Sequence, residues 1–429
     1  MNFEMLHPAD QIVTIMDRIY RYGMTTTSGG NLSIMDENGV MWISPSGVDK
    51  GRLRREDIMQ VFPDGHIEGT HRPSVEYPFH RSVYQKRPDF RAVLHAHPPS
   101  LVAYSVARKI PQTKLITNAH LLCGEIVMAP YACPGSDQLG QHISAAFERG
   151  GRVVMLENHG VVIGADHLFE AFMIFETLDF CARLQIKAGA IGTPRSLPDR
   201  HLEIYKQRNH PELAAYKHES YSSEELAVRR DMCSLISRAY DNMLFTSSQG
   251  TFSCRLSDGS FVITPYAKDR KYLEPADLVR IKDGCKEAGS FPSRSVFLHE
   301  TIYKQHPGIH SVIIAHPPNI MAFAVTDAVF DARLIPESYI MLRTVKKFPF
   351  GASFLQAEKM APELSPVHPV CIVENDCVIV TGDSLLNAFD RLEVMEYSAK
   401  SVVYTHTIGH IVRISDDEVS EIEQAFHLV

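Results

Sequence analysis

Apolar and polar positions along the chain predict helices and strands that follow one another in a mixed order. An opening amphipathic helix is predicted because four apolar residues fall on one face: Ile12, Ile15, Met16 and Ile19. Apolar runs of strand length follow, including NLSIMD, GVMWISP and AVLHAH, and RVVMLENHGVVIG has the pattern of strand, turn and strand. A long helical periodicity covers residues 166–188. We therefore predict an α/β fold in which helices flank a central sheet.

The pattern occurs twice in the chain. TSGGNLS begins at residue 27 and SSQGTFS at 247, an offset of 220, whereas MLENHGVVIGADHLFEAF at 155 and IVENDCVIVTGDSLLNAF at 372 are offset by 217. A separation that drifts this little over so many positions is hard to obtain by chance. We predict two copies of one domain and a polar linker between them, with the boundaries 1–195, 196–221 and 222–429.

Composition excludes several classes of function. The 429 residues carry a net charge of -8, so there is no electrostatic footprint for nucleic acid or an anionic membrane. The longest apolar runs are too short for a membrane span, and MNFEMLHPADQ lacks the basic and apolar regions of a secretory signal. The 8 cysteines form no C-x-x-C pair, which argues against a thiolate zinc site or a disulfide framework. We expect a cytoplasmic protein.

Three histidines are candidate metal ligands. His95 and His97 lie at i and i+2 of a predicted strand, so both imidazoles point to one face and can bind one ion. His159, in the turn E-N-H-G, can supply a third nitrogen, because the following glycine allows unusual backbone geometry. Three protein ligands with an open position are usual for a catalytic zinc ion. The alternative is two surface histidines on an amphipathic strand, which the apolar surroundings of His95 weaken.

The second copy tests this interpretation. Three candidate groups are absent from it together, because Ile314, Asp376 and Ser295 replace His95, His159 and Glu76, while His316 replaces His97 unchanged. We expect residues lost as a set to have served one chemical task, and residues kept in both copies to serve the fold. By this argument His80, which is kept as His299, is structural.

Loops near the predicted metal site can offer hydrogen-bond donors to an anion. The residues are Ser28, Gly29, Asn31, Ser46, Gly47 and Ser74. The alternative is that Gly29 and Gly30 only make a tight turn. In the second copy Thr251 and Ala267 replace Asn31 and Gly47, so its anion site is predicted to be eroded. The basic run from Lys50 to Arg55 is predicted to be a solvated surface.

The motifs S-G-G-N, I-S-P-S-G, P-S-x-E-x-x-x-H, H-A-H-P, P-Y-A-x-P-G-S and E-N-H-G together resemble the class II aldolase/adducin family. The resemblance covers nearly all of the first copy and, in weakened form, the second. It implies a three-layer α/β/α fold with an antiparallel sheet. It also implies that His95, His97 and His159 bind zinc, that Glu76 is the general acid/base, and that Asn31, Gly47 and Ser74 contact phosphate.

The resemblance implies a metal-dependent lyase catalysing aldol cleavage, or an epimerase, that acts on a small phosphorylated sugar or sugar acid through a zinc-stabilised enediolate. Another divalent transition metal remains open, because imidazole also suits cobalt, nickel or manganese. Alternatives are a decarboxylase or dehydratase on the same metal site, or a non-enzymatic adducin-like scaffold. Family members are typically tetramers, so we expect a homo-oligomer, with two chains standing in for four subunits.

Overall fold

The computed structural model of the chain describes residues 3–218 and 220–428, which form two compact units. The first unit contains Asn118–Arg183 and the chain up to Lys114, and the second contains Leu115–Thr117 and the chain from Leu184 onward. Among the described residues, no helix is both long enough and apolar enough to cross a membrane.

The part of the chain up to Ile191 contains six α-helices and eight strands among its described residues. The helices are α1 (Pro8–Arg21), α2 (Tyr77–Lys86), α3 (Pro99–Val106), α4 (Thr117–Cys123), α5 (Asp137–Phe147) and α6 (Leu168–Ile191). The strands are β1 (Asn31–Met35), β2 (Met41–Ile43), β3 (Met59–Val61), β4 (Ile67–Glu68), β5 (Ala92–Ala96), β6 (Ile126–Ala129), β7 (Val153–Leu156) and β8 (Gly160–Ala165).

The eight strands form one sheet in the order β4-β3-β2-β1-β5-β8-β7-β6. Every pair is antiparallel except β6 and β7, which are parallel. Strand β5 is central, and its register places His95 opposite Asn31 of β1 and Val162 of β8. The strand that carries the His-x-His motif is therefore held rigidly on both sides.

Apolar side chains cover both faces of this sheet, because successive residues of a strand point to opposite faces. On one face, Leu94 of β5 belongs to a buried cluster with Ile12 of α1 and Phe172 of α6. On the other face, Val93 belongs to a cluster with residues of α2 and α5, including Ile143. The result is the predicted three-layer α/β/α arrangement around a mainly antiparallel sheet.

The second unit repeats this plan. Its helices are α7 (Asp199–Lys206), α8 (Ser223–Asp241), α9 (Val296–Gln305), α10 (Pro318–Ala324), α11 (Pro336–Leu342), α12 (Ala352–Leu355), α13 (Ala357–Met360), α14 (Leu385–Ile408) and α15 (Asp416–Ala425). Its strands are β9 (Ala215–Tyr216), β10 (Thr251–Arg255), β11 (Phe261–Ile263), β12 (Val279–Lys282), β13 (Cys285–Glu287), β14 (Ser311–Ala315), β15 (Lys346–Phe348), β16 (Val370–Val373) and β17 (Cys377–Gly382).

The strand orders of the two sheets confirm the duplication. The second sheet runs β15-β16-β17-β14-β10-β11-β12-β13-β9, which is the first order read from the other end with β9 added. Strand β9 lies in the predicted linker, residues 196–221, and pairs in parallel with β13. The linker segment thus contains a helix and a strand, and the proposed boundaries 1–195 and 222–429 stay predictions.

Candidate metal centre

His95 lies fully buried near the end of the central strand, with its ring orientation fixed by a hydrogen bond. Its Nδ1 lies 2.9 Å from the carbonyl oxygen of Val161 on β8. A carbonyl can only accept, so Nδ1 carries the proton and Nε2 keeps its lone pair. The second nitrogen of His95 is therefore presented as a metal ligand, with its tautomer set by the neighbouring strand.

The three predicted ligands converge. His97 Nε2 lies 2.9 Å from His95 Nε2, and the His159 ring centroid lies 4.8 Å from that of His95 and 5.0 Å from that of His97. One nitrogen from each ring lies within 4.8 Å of the others. Two nitrogens at zinc–nitrogen distances of about 2.0–2.1 Å and a tetrahedral angle lie about 3.3 Å apart, so these separations fit a shared ion.

The surroundings keep these rings neutral, which is the state that binds a metal. Burial lowers the pKa of His95 to about 3, with a smaller contribution from His159. Burial, followed by the neighbouring imidazoles, lowers the pKa of His97 to about 3. Burial also lowers the pKa of His159, against the opposing effect of Glu76. All three lone pairs are therefore available at neutral pH.

Glu76 completes the cluster. It occupies the N-cap position of α2 and is 6% exposed. Its Oε2 lies 3.3 Å from His95 Nε2, and its Oε1 lies 3.7 Å from His159 Nε2 and has no hydrogen-bond partner among the described residues. A neutral imidazole lone pair facing a carboxylate oxygen is unfavourable unless a cation lies between them. The donor set, with an orphaned carboxylate oxygen, therefore fits a divalent ion.

Asn31 holds the other oxygen of Glu76. Its Nδ2 donates to Glu76 Oε2 at 2.8 Å, which turns its Oδ1 toward His80 Nε2 at 2.5 Å. His80 Nδ1 therefore accepts from Ser33 Oγ at 2.7 Å, and Ser33 Oγ accepts from Tyr84 at 2.7 Å. Burial holds the pKa of His80 well below its usual range, so a neutral ring links the chain.

This hydrogen-bond chain clarifies the prediction for His80 and adds residues that the sequence analysis missed. Ser253, His299 and Tyr303 repeat the same contacts in the second unit, with His299 Nδ1 2.7 Å and the Tyr303 hydroxyl 2.6 Å from Ser253 Oγ. His80 does not reach the histidine cluster directly but supports Asn31. The persistence of a serine and a tyrosine in both copies was the signal that could have identified Ser33 and Tyr84.

Gly160 and Gly29 allow close packing around His97. A Cβ atom on Gly160 would lie 2.6 Å from the carbonyl oxygen of Ala96 and 2.7 Å from His97 Cδ2. A Cβ on Gly29 would lie 3.1 Å from His97 Nδ1. The expectation that Gly160 supplies unusual backbone geometry is wrong. Gly160 begins the extended strand β8, and Asn158 has the left-handed conformation, with φ of 53°.

The predicted anion-binding residues lie at different distances from the histidine cluster. Gly29, Asn31 and Ser74 are close to it: Gly29 abuts His97, and Ser74 Oγ accepts the backbone N–H of Glu76 at 3.3 Å. Ser46 and Gly47 lie in a neighbouring loop, where Ser46 N–H donates to the carbonyl of Arg72 at 2.9 Å. Ser28 is exposed at the start of the first loop. Their role toward phosphate stays a prediction.

The prediction of a solvated basic run is wrong for Lys50. Its side chain is 3% exposed, its ammonium donates to the carbonyl of Pro45, and its backbone N–H donates to the carbonyl of Thr27 at 2.9 Å. Burial lowers its pKa to about 8. Lys50 thus lies between the two predicted anion-binding loops. The sequence did not show that Lys50 is buried, because the nearby Arg52, Arg54 and Arg55 are exposed.

A second cluster of potential ligands in the described residues is neutralised without a metal. His218, Glu225 and Glu287 each offer an atom within 4.8 Å of the others. The guanidinium of Arg229 lies 2.7 Å from Glu225 and 2.6 Å from Glu287, and Arg280 lies 2.8 Å from Glu225. Two guanidinium groups already balance the two carboxylates, so this group is an ion-pair network.

The counterpart of the metal cluster in the second unit has a different chemistry. Ile314 is 8% exposed and occupies the position of His95. The hydroxyls of Thr251, Ser293 and Ser295 form a chain with separations of 2.9 and 3.0 Å. Neutral hydroxyls replace the amide and carboxylate of the first unit. Among the described residues, the second unit therefore has no group of three metal-binding side chains at this position.

The fold and the site together define a duplicated α/β protein whose described residues include one three-histidine centre. The sequence comparison agrees with the duplication. The family model described as Class II Aldolase and Adducin N-terminal domain matches residues 10–186 and 230–403. The chain therefore belongs to the class II aldolase/adducin family and carries two copies of its domain.

Individual relatives each match about one copy. The 5-deoxy-D-ribulose 1-phosphate aldolase of Bacillus thuringiensis serovar kurstaki is 34% identical over 202 residues, 45% of this chain and 91% of that protein. The 3-oxo-tetronate 4-phosphate decarboxylase of Haemophilus influenzae is 32% identical over 170 residues, 38% of this chain and 80% of that protein. A solved L-fuculose 1-phosphate aldolase is 31% identical and covers 46% of this chain and 93% of its own, with a TM-score of 0.42.

Proposed function

We propose that the protein is a metal-dependent lyase that cleaves a carbon–carbon bond in a small phosphorylated sugar or sugar acid by retro-aldol chemistry. The observation that carries the proposal is the convergence of three neutral imidazoles beside one carboxylate with an unpaired oxygen, Glu76 Oε1. The aldolase and decarboxylase relatives support the same class of substrate.

His95, His97 and His159 would hold the ion, and zinc suits three nitrogen ligands with an open position. When bound, a divalent ion supplies Lewis-acid stabilisation of the negative charge that develops on substrate oxygens as the bond breaks. Three neutral ligands leave the positive charge of the ion undiminished.

Glu76 is the group we assign to proton transfer. In retro-aldol cleavage the β-hydroxyl group loses its proton as its carbon becomes the released aldehyde. The electron pair of the broken bond stays on the α-carbon next to the original carbonyl, and that carbon must take up a proton. Oε2 of Glu76 is held by Asn31 at 2.8 Å, whereas Oε1 has no donor within the described residues and faces the histidine cluster. The geometry therefore favours Oε1 as the atom that carries the proton, with Asn31 and His80 fixing the carboxylate plane.

The phosphate end of the substrate would be bound by the loops beside the cluster. Ser28, Gly29, Asn31, Ser46, Gly47 and Ser74 lie in or next to these loops and offer backbone and side-chain donors. Lys50, buried between the loops, adds a positive charge. One N–H of the Asn31 amide is engaged by Glu76 and the amide oxygen by His80, so its side-chain contribution to phosphate binding would have to come from the second N–H of the amide.

Decarboxylation on the same site is the second candidate. The Haemophilus influenzae relative supports it, because it is a decarboxylase of comparable identity to the aldolase. Both reactions leave negative charge next to a carbonyl and need one proton delivered to carbon, so the same residues serve either. Epimerisation, a homo-oligomeric state and a cytoplasmic location also stay predictions, and light scattering on the purified chain tests the second of these.

A substrate screen with a matched variant tests the proposal. The full chain, loaded with zinc, is given 5-deoxyribulose 1-phosphate, fuculose 1-phosphate and 3-oxo-tetronate 4-phosphate, and release of aldehyde or carbon dioxide is followed. We expect turnover of at least one phosphorylated substrate and its loss in Glu76→Gln with metal content retained. Unchanged turnover in Glu76→Gln would remove the assigned proton transfer, and no turnover of any sugar phosphate by the metal-loaded chain would contradict the proposed lyase.

A further inference from the structure

His159 differs from His95 in how its ring is oriented. His95 Nδ1 donates to the carbonyl of Val161 at 2.9 Å, which fixes that ring. His159 Nδ1 is buried and has no hydrogen-bond partner in the part of the chain that the structure describes. Metal-binding histidines usually have their second nitrogen held by a hydrogen bond. The direction of the His159 side chain must therefore be set by its backbone.

Ser105 contacts that backbone directly. It is fully buried near the end of α3, and its Oγ accepts the backbone N–H of His159 at 3.0 Å. The same N–H also reaches the carbonyl of Leu156 at 3.2 Å, and the preceding residue, Asn158, has φ of 53°. The hydroxyl thus holds the peptide plane of a tight turn that depends on one left-handed residue.

The other end of α3 is anchored to the long helix α6. Ser100, in the first turn of α3, donates its hydroxyl to the buried Asp179, which also accepts from Arg183 at 2.8 Å. Helix α3 begins two residues after His97. A helix fixed at its start by Asp179 and contacting the His159 turn near its end links two of the three ligands.

The second unit has its own carboxylate anchor for the equivalent helix and keeps the backbone bond to the turn. Glu396 takes the place of Asp179 and accepts the backbone N–H groups of Asn319 and Ile320, each at 3.0 Å. The backbone bond from Asn158 to Ser105 O, 3.5 Å long, recurs from Asn375 to Ala324 O at 3.1 Å.

Ala324 stands where the first unit has Ser105, so the side-chain oxygen is missing. The backbone N–H of Asp376, the counterpart of His159, reaches the carbonyl of Val373 at 3.2 Å and has no hydroxyl to share. The hydroxyl is therefore absent from the copy that also lacks the counterparts of His95, His159 and Glu76. The helix anchor and the backbone bond, which serve the fold, are present in both.

We propose that Ser105 is a positioning residue that sets the orientation of the His159 imidazole through the His159 backbone N–H. The inference rests on the metal centre of the proposed function. Losing a residue that orients a ligand typically lowers metal affinity about 10–100-fold, and we expect that loss for Ser105→Ala. The fold should persist, because the second unit folds in the same way with alanine at this position.

Zinc affinity of the full-length chain tests the proposal, measured by competition with a chromophoric chelator. Ser144→Ala is the matched control, because Ser144 is also buried on a helix and its hydroxyl donates within that helix, to Gln141 O at 3.3 Å. A second pair, Ser105→Thr and Ser105→Val, has side chains of nearly equal volume that differ by one hydroxyl. The visible spectrum of the cobalt-substituted chain reports ligand geometry independently of turnover.

We expect Ser105→Ala and Ser105→Val to lose zinc affinity about 10–100-fold and to show an altered cobalt spectrum, while Ser105→Thr and Ser144→Ala stay close to the unmodified chain. Affinity in Ser105→Ala equal to that of the unmodified chain would overturn the positioning role. Equal affinities in the threonine and valine variants would do the same, even if the alanine variant does not fold. Failure of the unmodified chain to bind zinc at all would instead refute the metal centre.

Discussion

Replacing Gly160 by alanine is a small change that should disable the metal centre. The added Cβ would lie 2.6 Å from the carbonyl oxygen of Ala96 and 2.7 Å from Cδ2 of His97. Both separations are shorter than normal van der Waals contacts. The carbonyl belongs to the central strand, so it cannot move freely. The ring of His97 is the part that can give way.

The magnitude follows from these distances. Inserting a methyl group into a well-packed site typically costs about 1–3 kcal/mol of folding free energy. Metal–ligand distances hold within about 0.2 Å, and the shift needed to relieve the His97 contact exceeds this. Loss of one of three protein ligands should lower zinc affinity at least about 100-fold, or about 2.7 kcal/mol. In the second copy Cys377 occupies this position, so a side chain here is compatible with the fold but not with the metal site.

Zinc titration and thermal unfolding of Gly160→Ala test this reasoning, with Gly189→Ala as the control. A Cβ on Gly189, in α6, would meet nothing within 4 Å, and alanine is favoured over glycine inside a helix by about 1 kcal/mol. We expect Gly189→Ala to bind zinc normally with equal or higher stability. Normal zinc affinity in Gly160→Ala would refute the argument that His97 is packed against Gly160 as a ligand.

Three further predictions follow from the same structure. Zinc at about 100 times its dissociation constant should stabilise the folded chain by about 2.7 kcal/mol, seen as a higher melting temperature that is absent in His95→Ala. Burial lowers the pKa of His299 to about 3, so the unfolded chain binds a proton that the folded chain does not between about pH 6.5 and 3. The free energy of unfolding should therefore fall as pH falls through this window. Urea unfolding of His299→Gln should show a free energy of unfolding that depends less steeply on pH. The same pH dependence in His299→Gln as in the unmodified chain would contradict the buried neutral ring. Lys50→Met removes a buried ammonium that has no carboxylate partner among the described residues. This change should weaken the binding of inorganic phosphate about tenfold, measured by calorimetry, without loss of zinc. Unchanged phosphate binding would count against a place for Lys50 in the anion site.

The duplicated sequence explains why the fold and the grouping of the three histidines could be predicted. The second copy served as a comparison in which fold residues persist and site residues change, and this separated His95 and His159 from His80. Periodicity also placed the strands well, because both faces of the sheet are buried and apolar runs are therefore continuous. The rings of His95 and His97 meet as the i, i+2 rule for a strand predicts.

The remaining features depend on three-dimensional packing that no single segment shows. Lys50 is buried because two loops close over it, although its sequence neighbours are exposed cations. Gly160 is required by a contact with His97, 63 residues away in the chain. The sequence did not show that the amide of Asn31 bridges Glu76 and His80, which come from another part of the chain. Such roles arise only when the sheet brings distant segments together.

The metal content of the purified full-length chain tests the central claim most directly. Elemental analysis after dialysis against trace zinc should give one divalent ion for each chain, and His159→Ala should lose it. Zero ions would contradict the convergence of His95, His97 and His159 on a metal. Two ions would contradict the conclusion that only the first of the two copies retains a binding site.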